Sequence, residues 1–183
     1  AFYCASEATN DDDIYRSIVY IPEGEYKCTK QLYVNIHDVN VVGDGDSTVI
    51  FTDNDYTDAY EFFMWSSGGK NLYLADFKVE ARERDMSRYY RQLSFVDCEN
   101  VYLYRVNMNI PQEAFSKDYY VDKQYTNLTF YSGNKNMTAD SCRMELMCST
   151  YRGANLGILD FYCRGEENIT VKNCELYDNA RDE

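Results

Sequence analysis

Acid–base, metal and nucleophilic chemistry each need particular side chains brought within a few ångströms, and this sequence supplies them unevenly. It has 31 acidic and 18 basic residues, seven cysteines and a single histidine, His37. One imidazole excludes any mechanism that needs two, and His37 stands beside Asp38 in what reads as a polar turn. The cysteines are Cys4, Cys28, Cys98, Cys142, Cys148, Cys163 and Cys174. None of them form a Cys-x-x-Cys pair, so a zinc site of ordinary spacing is not indicated, and most read as small buried apolar residues. An odd count leaves at least one thiol unpaired within the chain. The run Gly43-Asp44-Gly45-Asp46 has carboxylates that could ligate Ca²⁺, but its residue types are equally those of a tight turn. Glu80–Arg88 mixes both charges, as a solvated excursion between elements does. Of three Asn-x-Thr sequons, at Asn127, Asn136 and Asn168, only Asn127 falls outside the periodic positions identified below, so it alone is a glycan-acceptor candidate.

The frame that must position these groups is set first by size and charge. A chain of 183 residues makes little more than one domain, and 45% apolar residues suffice for a sizeable core. The net charge of −13 argues against nucleic acid or an anionic membrane as the main partner, since both would repel it. No apolar run reaches the roughly 18–20 residues of a membrane helix, so membrane insertion is not expected. The 19 tyrosines against one tryptophan are unusual.

An internal repeat organises the chain. Five segments share a polar lead residue followed by alternating apolar and outward positions: Asp38–Val42, Asn71–Ala75, Asn100–Tyr104, Asn136–Asp140 and Asn168–Lys172. Their leads are 33, 29, 36 and 32 residues apart. Each is preceded by another strand-like stretch and followed by a turn and a third, as in Phe77–Val79, Val106–Met108, Cys142–Met144 and Cys174–Leu176. Period-2 alternation over about five residues reads as a half-buried strand. No helical pattern intervenes, and no Asn-Gly hairpin signal occurs. A repeat that returns one residue type to one place each period predicts a parallel β-solenoid of about five coils, roughly 25 Å long at the strand spacing. Val39, Leu72, Val101, Met137 and Ile169 would then form one inward stack, and Val41, Leu74, Leu103, Ala139 and Val171 a second. Phe77, Val106, Cys142 and Cys174 would form a third, and Asn71, Asn100, Asn136 and Asn168 a buried amide ladder inside a turn.

Ile18–Tyr26, followed by Asn40–Ile50 with its Gly43-Asp44-Gly45-Asp46 core, resembles the opening of the pectate lyase/polygalacturonase-like right-handed parallel β-helix superfamily. Asn10–Asp13 is similar to the acidic lead-in found there and in phage tail-spike β-helices, and Asn168–Cys174 to the superfamily's generic coil. The resemblance implies an all-β, right-handed parallel β-helix over residues 18–183, with a lead-in of residues 1–17, as one piece of a larger protein. It implies chemistry only in outline. Hydrolases of this type use clustered Asp with a Gly-His-Gly segment, which is missing here. Lyases pair Arg or Lys with Ca²⁺ on carboxylates, and Arg105, Arg143, Lys172, Asp44, Asp46 and Asp140 supply those types without an adjacent Asp pair. No catalytic residue can be named.

The outward columns are more informative. One runs Asn40, Tyr73, Tyr102, Thr138, Thr170, and the next Val42, Ala75, Tyr104, Asp140, Lys172. In a solenoid Tyr73, Tyr102 and Tyr104 come together beside Asp140 and Lys172, offering rings for sugar C–H surfaces and polar groups for hydroxyls. The same tyrosines could simply stabilise strand pairing. Three functions fit: a non-catalytic or accessory domain contacting polysaccharide, on an extracellular, cell-surface or virion-associated protein; a lyase or glycosidase acting on an acidic glycan; or a structural solenoid that homo-oligomerises through its ends. The balance favours a binding domain over an enzyme, with Ca²⁺ the one cofactor the residue types could hold.

Overall fold

A computed structural model describes residues 17–28, 32–33, 37–52, 61–82, 89–110, 124–146, 155–161 and 165–178. Cys4, Cys148, Cys163, residues 1–16 of the 1–17 lead-in and the charged stretch 83–88 lie outside the described residues. The recurring local event is a left-handed backbone turn. Asp38, Asn71, Asn100, Asn136 and Asn168 all sit at φ between 54° and 57°, where Asn and Asp are tolerated because a short polar side chain can bond locally. Five residues after each of the four asparagines comes a second left-handed residue: Asp76, Arg105, Ser141 and Asn173. Three residues before them comes a third, Gly68, Asp97, Gly133 and Gly165. At Gly133, φ 81°, a Cβ would also meet the Asp97 carboxylate, which would have to move aside.

Between these turns the chain is extended. The strands are β1 (Ser17–Tyr20), β2 (Gly24–Cys28), β3 (Leu32–Tyr33), β4 (Val39–Val42), β5 (Thr48–Thr52), β6 (Glu61–Ser67), β7 (Lys70–Ala81), β8 (Tyr89–Val96), β9 (Glu99–Ile110), β10 (Gln124–Phe130), β11 (Lys135–Asp140), β12 (Arg143–Leu146), β13 (Asn155–Phe161), β14 (Glu167–Lys172) and β15 (Glu175–Asp178). The helical structure among the described residues is one 3₁₀ turn, Gly45–Ser47. One sheet runs β1-β4-β7-β9-β11-β14, with β2, β5, β12 and β15 paired alongside it, and the second runs β3-β6-β8-β10-β13. Every pairing is parallel and joins a strand to its equivalent one repeat away. The fold is therefore nearly all β and parallel, an arrangement compatible with a solenoid.

Register carries the sequence columns into the core. Leu72 pairs with Val101, Val101 with Met137 and Met137 with Ile169. Leu74, Leu103, Ala139 and Val171 align in the same way. Phe77, Val106 and Cys142 are fully buried in the third column. From the second sheet, Leu93, Phe95, Leu128 and Phe130 join the same cluster. Phe95, Phe130 and Phe161 stack with centroids 6.2 and 5.4 Å apart. Gln92 and Asn127 form a buried amide pair, with Asn127 Nδ2 donating to Gln92 Oε1 at 2.7 Å and Gln92 Nε2 to the Asn109 carbonyl at 2.7 Å. These bonds tie the two sheets together.

The amide ladder exists but is not buried. Asn71 donates to Asp38 Oδ1 (2.7 Å), Asn100 to Asn71 (2.9 Å), Asn136 to Asn100 (3.0 Å) and Asn168 to Asn136 (3.0 Å). Asn100, Asn136 and Asn168 are exposed residues at left-handed positions, each the second residue of its strand (β9, β11 and β14). Asn127 is corrected in the opposite sense: it is fully buried and bonded within the core, so the folded chain does not present it to a glycosylating enzyme. Cys174 occupies its expected column only half-buried, in the last described repeat, where Phe161 and Leu176 are also exposed.

Two outcomes follow from this packing. Asn100→Ala removes two ladder bonds and leaves a Cβ-bearing residue in the left-handed region, so it should cost about 2 kcal/mol. Asn100→Gly removes only the bonds and should cost about 1 kcal/mol. Urea midpoints of the two variants check the order. Burial pushes the Cys142 thiol up to about 12. Native labelling with a maleimide near neutral pH should therefore spare Cys142 and reach Cys174 sooner.

Candidate functional site

The outward positions of the first sheet are set by the same register. Asn40 pairs with Tyr73, Tyr73 with Tyr102, Tyr102 with Thr138 and Thr138 with Thr170. Two residues on, Val42, Ala75, Tyr104, Asp140 and Lys172 align. All five residues singled out from the sequence (Tyr73, Tyr102, Tyr104, Asp140 and Lys172) meet in one patch. The Tyr73 and Tyr102 rings stack with centroids 5.8 Å apart and planes 16° apart, and Tyr102 meets Tyr104 at 6.4 Å in a tilted contact. The rings are half-buried, and Tyr73 and Tyr102 spend one face each on the other. What they offer outward is mainly ring edge and phenol group.

Asp140 organises one flank. Its Oδ2 accepts from the Tyr102 hydroxyl at 2.6 Å and pairs with Lys172 Nζ at 3.2 Å. Its Oδ1 accepts from Ser141 Oγ and Asn173 Nδ2, both at 3.0 Å. The Tyr102 hydroxyl, then Asn173, Lys172 and Ser141, outweigh desolvation and hold this carboxyl well below the usual range. The same contact pushes the Tyr102 phenol up, while desolvation is the first cause of the rise at Tyr73. Lys172 lies 5.9 Å from the Tyr102 ring centroid. Ser141 and Asn173 were missed in the sequence, although each stands five residues after a ladder asparagine, at the second turn of its repeat.

The other flank is Arg105, at that same second turn. Its Nε pairs with Asp76 Oδ1 at 2.7 Å, and its guanidinium lies 4.6 Å from the Tyr104 ring centroid. Beyond Arg105 the surface falls into a cleft of about 460 Å³ lined by Gly43–Asp46, Asp76, Arg105 and Asn107. A second cavity of about 280 Å³ shares Asp46 and Asn107 with it and is lined also by Lys78, Met108, Asn109, Arg143 and Glu145. Asn107 links the walls, its Nδ2 donating to Asp46 and its Oδ1 accepting from the Arg143 amide at 3.0 Å.

The carboxylates considered for Ca²⁺ have other bonds. Asp44 Oδ2 accepts from the Tyr20 hydroxyl at 2.6 Å and the Glu23 amide at 2.8 Å, while Asp46 holds Asn107. The Gly43–Asp46 run thus enters the 3₁₀ turn, with Gly45 at φ 70°. Among the described residues, no group of three or more His, Cys, Asp or Glu side chains is placed to hold a metal ion. Arg143 lines the second cavity, and His37 is exposed at an isolated bridge to Lys70.

No family model matches the chain, and no curated protein sequence does. Among solved structures, the chain is similar to one described as a "putative glycosyl hydrolase" from Parabacteroides merdae ATCC 43184. The two are 13% identical over 90% of this chain and 74% of the other, with a TM-score of 0.59. At that identity the likeness is one of fold. ORF18 of Geobacillus virus E2 is 14% identical over 92% of this chain and 46% of its own length, with a TM-score of 0.35.

The Asp140 cluster generates a pH prediction. A carboxyl held lower in the folded than in the unfolded chain stabilises above its ordinary pKa of about 4, and that contribution is lost as pH falls through the folded value. Urea midpoints measured from pH 5 down to pH 2 should therefore fall more steeply for the natural chain than for Asp140→Asn. Parallel curves would show that the cluster does not hold Asp140 ionised.

Proposed function

We propose that this chain is a non-catalytic domain that holds polysaccharide along the outward face of a right-handed parallel β-helix of about five coils, on an extracellular, cell-surface or virion-associated protein. The observation that carries the reading is the meeting of Tyr73, Tyr102 and Tyr104 on one face with Asp140 and Lys172 beside them. Stacked tyrosines locked by a hydrogen-bonded carboxylate are preorganised, so a bound glycan orders few side chains. The repeat and the opening motifs support the helix. One solved structure of similar fold is described as a "putative glycosyl hydrolase", although a fold hosts many functions.

The binding reading is preferred to an enzymatic one because of what Asp140 does. Four donors occupy its two oxygens and hold it ionised, whereas a general acid must carry a proton near working pH. Asp76 Oδ1 is ion-paired with Arg105 Nε at 2.7 Å.

A glycan array is expected to give positive signals with the natural chain. On a positive glycan, Tyr73→Ala should weaken binding about fivefold, the equivalent of roughly 1 kcal/mol of lost ring contact, with little change in the urea midpoint. Incubation with pectin or alginate should give no unsaturated-uronate absorbance. Its steady appearance would overturn the non-catalytic reading in favour of a lyase.

A further inference from the structure

Among the four left-handed residues of the second turn, Arg105 is the one with a long side chain. Asp76 and Asn173 are of types that tolerate the conformation, and Ser141 is short, but Arg105 holds φ 49° with a Cβ and a full guanidinium arm. A bulky residue kept in that region is a cost that the surroundings must impose, and such residues concentrate where a side chain has to be aimed. Here the arm is aimed at the corner between two faces. One side of it is the Tyr104 ring, and the other is Asp76 and the 460 Å³ cleft. More than half of the side chain is exposed, at 56%.

The charges along the cleft restrict what it can take. Arg105, the cation that lines the cleft, already has a carboxylate, Asp76 at 2.7 Å, and in the adjoining cavity Lys78 has Glu80 at 3.2 Å and Arg143 has Glu145 at 3.7 Å. Asp44 and Asp46 add two further negative charges to the wall, within a chain of net charge −13. A uronate or sulfate group entering would meet surplus negative charge. A neutral sugar would meet alternating donors and acceptors, since an ion pair offers guanidinium N–H groups and carboxylate oxygens side by side, the pattern that neighbouring hydroxyls match.

We propose that Arg105 anchors a neutral, hydroxyl-bearing glycan at the corner where the tyrosine face meets this cleft. The inference rests on the polysaccharide-binding reading above and adds to it a ligand class and a residue. The glycan would pass from the ring edges of Tyr73 and Tyr104 over the Arg105–Asp76 pair toward Asn107.

The test uses the full chain, calorimetry and three probes: cellohexaose, mannohexaose and hexagalacturonate. Arg105→Asn is the informative variant, because Asn occupies the same turn at Asn173 and tolerates its backbone. Arg105→Lys tests whether charge alone suffices. Binding of at least one neutral hexaose is expected, with no binding of hexagalacturonate. Arg105→Asn should weaken it tenfold or more with the urea midpoint unchanged or raised, and Arg105→Lys should recover little because it lacks the planar fork. Unchanged binding in Arg105→Asn would overturn the anchor while leaving the tyrosine face as the site. Preference for hexagalacturonate would overturn the ligand class. No binding of any probe, in a natural chain that is also blank on the array, would overturn both this inference and the reading on which it rests.

Discussion

The structure depends on the conformation of one residue per repeat. A left-handed asparagine bends the chain as each strand begins, and its amide bonds to the equivalent residue one repeat earlier, so each bend is fixed in place by its predecessor. Once the bend is fixed, parallel pairing at the strand spacing forces every other position into a column. Leu72 must lie against Val101 and Tyr73 against Tyr102. Core and surface are thus written in the same register, and a slip of one residue would exchange them. The ladder begins at Asp38, a carboxylate that only accepts, which gives the amides a single direction along the stack.

The outward patch is a consequence of this arrangement. Tyr102 and Asp140 belong to adjacent repeats and neighbouring columns, and they meet only because β9 and β11 are in register. Ser141 and Asn173 reach Asp140 because each follows its ladder asparagine by the same five residues. The second turn serves both surfaces, with Ser141 and Asn173 completing the Asp140 cluster and Arg105 and Asp76 opening the cleft. A tyrosine stack and a polar cleft can therefore adjoin without a loop built for the purpose.

Much of this was legible in the sequence because stacking converts linear spacing directly into contact. The leads at Asn71, Asn100, Asn136 and Asn168 gave the register, and the register gave Tyr73, Tyr102, Tyr104, Asp140 and Lys172 as neighbours. The exposure of the ladder was not legible, since a recurring asparagine marks a turn without saying which way the side chain leaves it. Asn127 was misread because it lies off the lead positions. Its role appears only when β10 is set beside β8 and its amide is seen on Gln92. The cleft was invisible for a related reason. Asp46 and Asn107 are 61 residues apart and share no column, so they meet only through the three-dimensional course of the turn.

The central claim is that one register, set by the turn asparagines, produces both the parallel core and the tyrosine patch. A single nuclear Overhauser experiment on the labelled chain tests it most directly. The account predicts cross-peaks between the side-chain amides of Asn71, Asn100, Asn136 and Asn168 in series, together with ring-to-ring cross-peaks between Tyr73 and Tyr102. Ladder amides without mutual cross-peaks, or the close Hα–Hα pattern of antiparallel strands in their place, would contradict it.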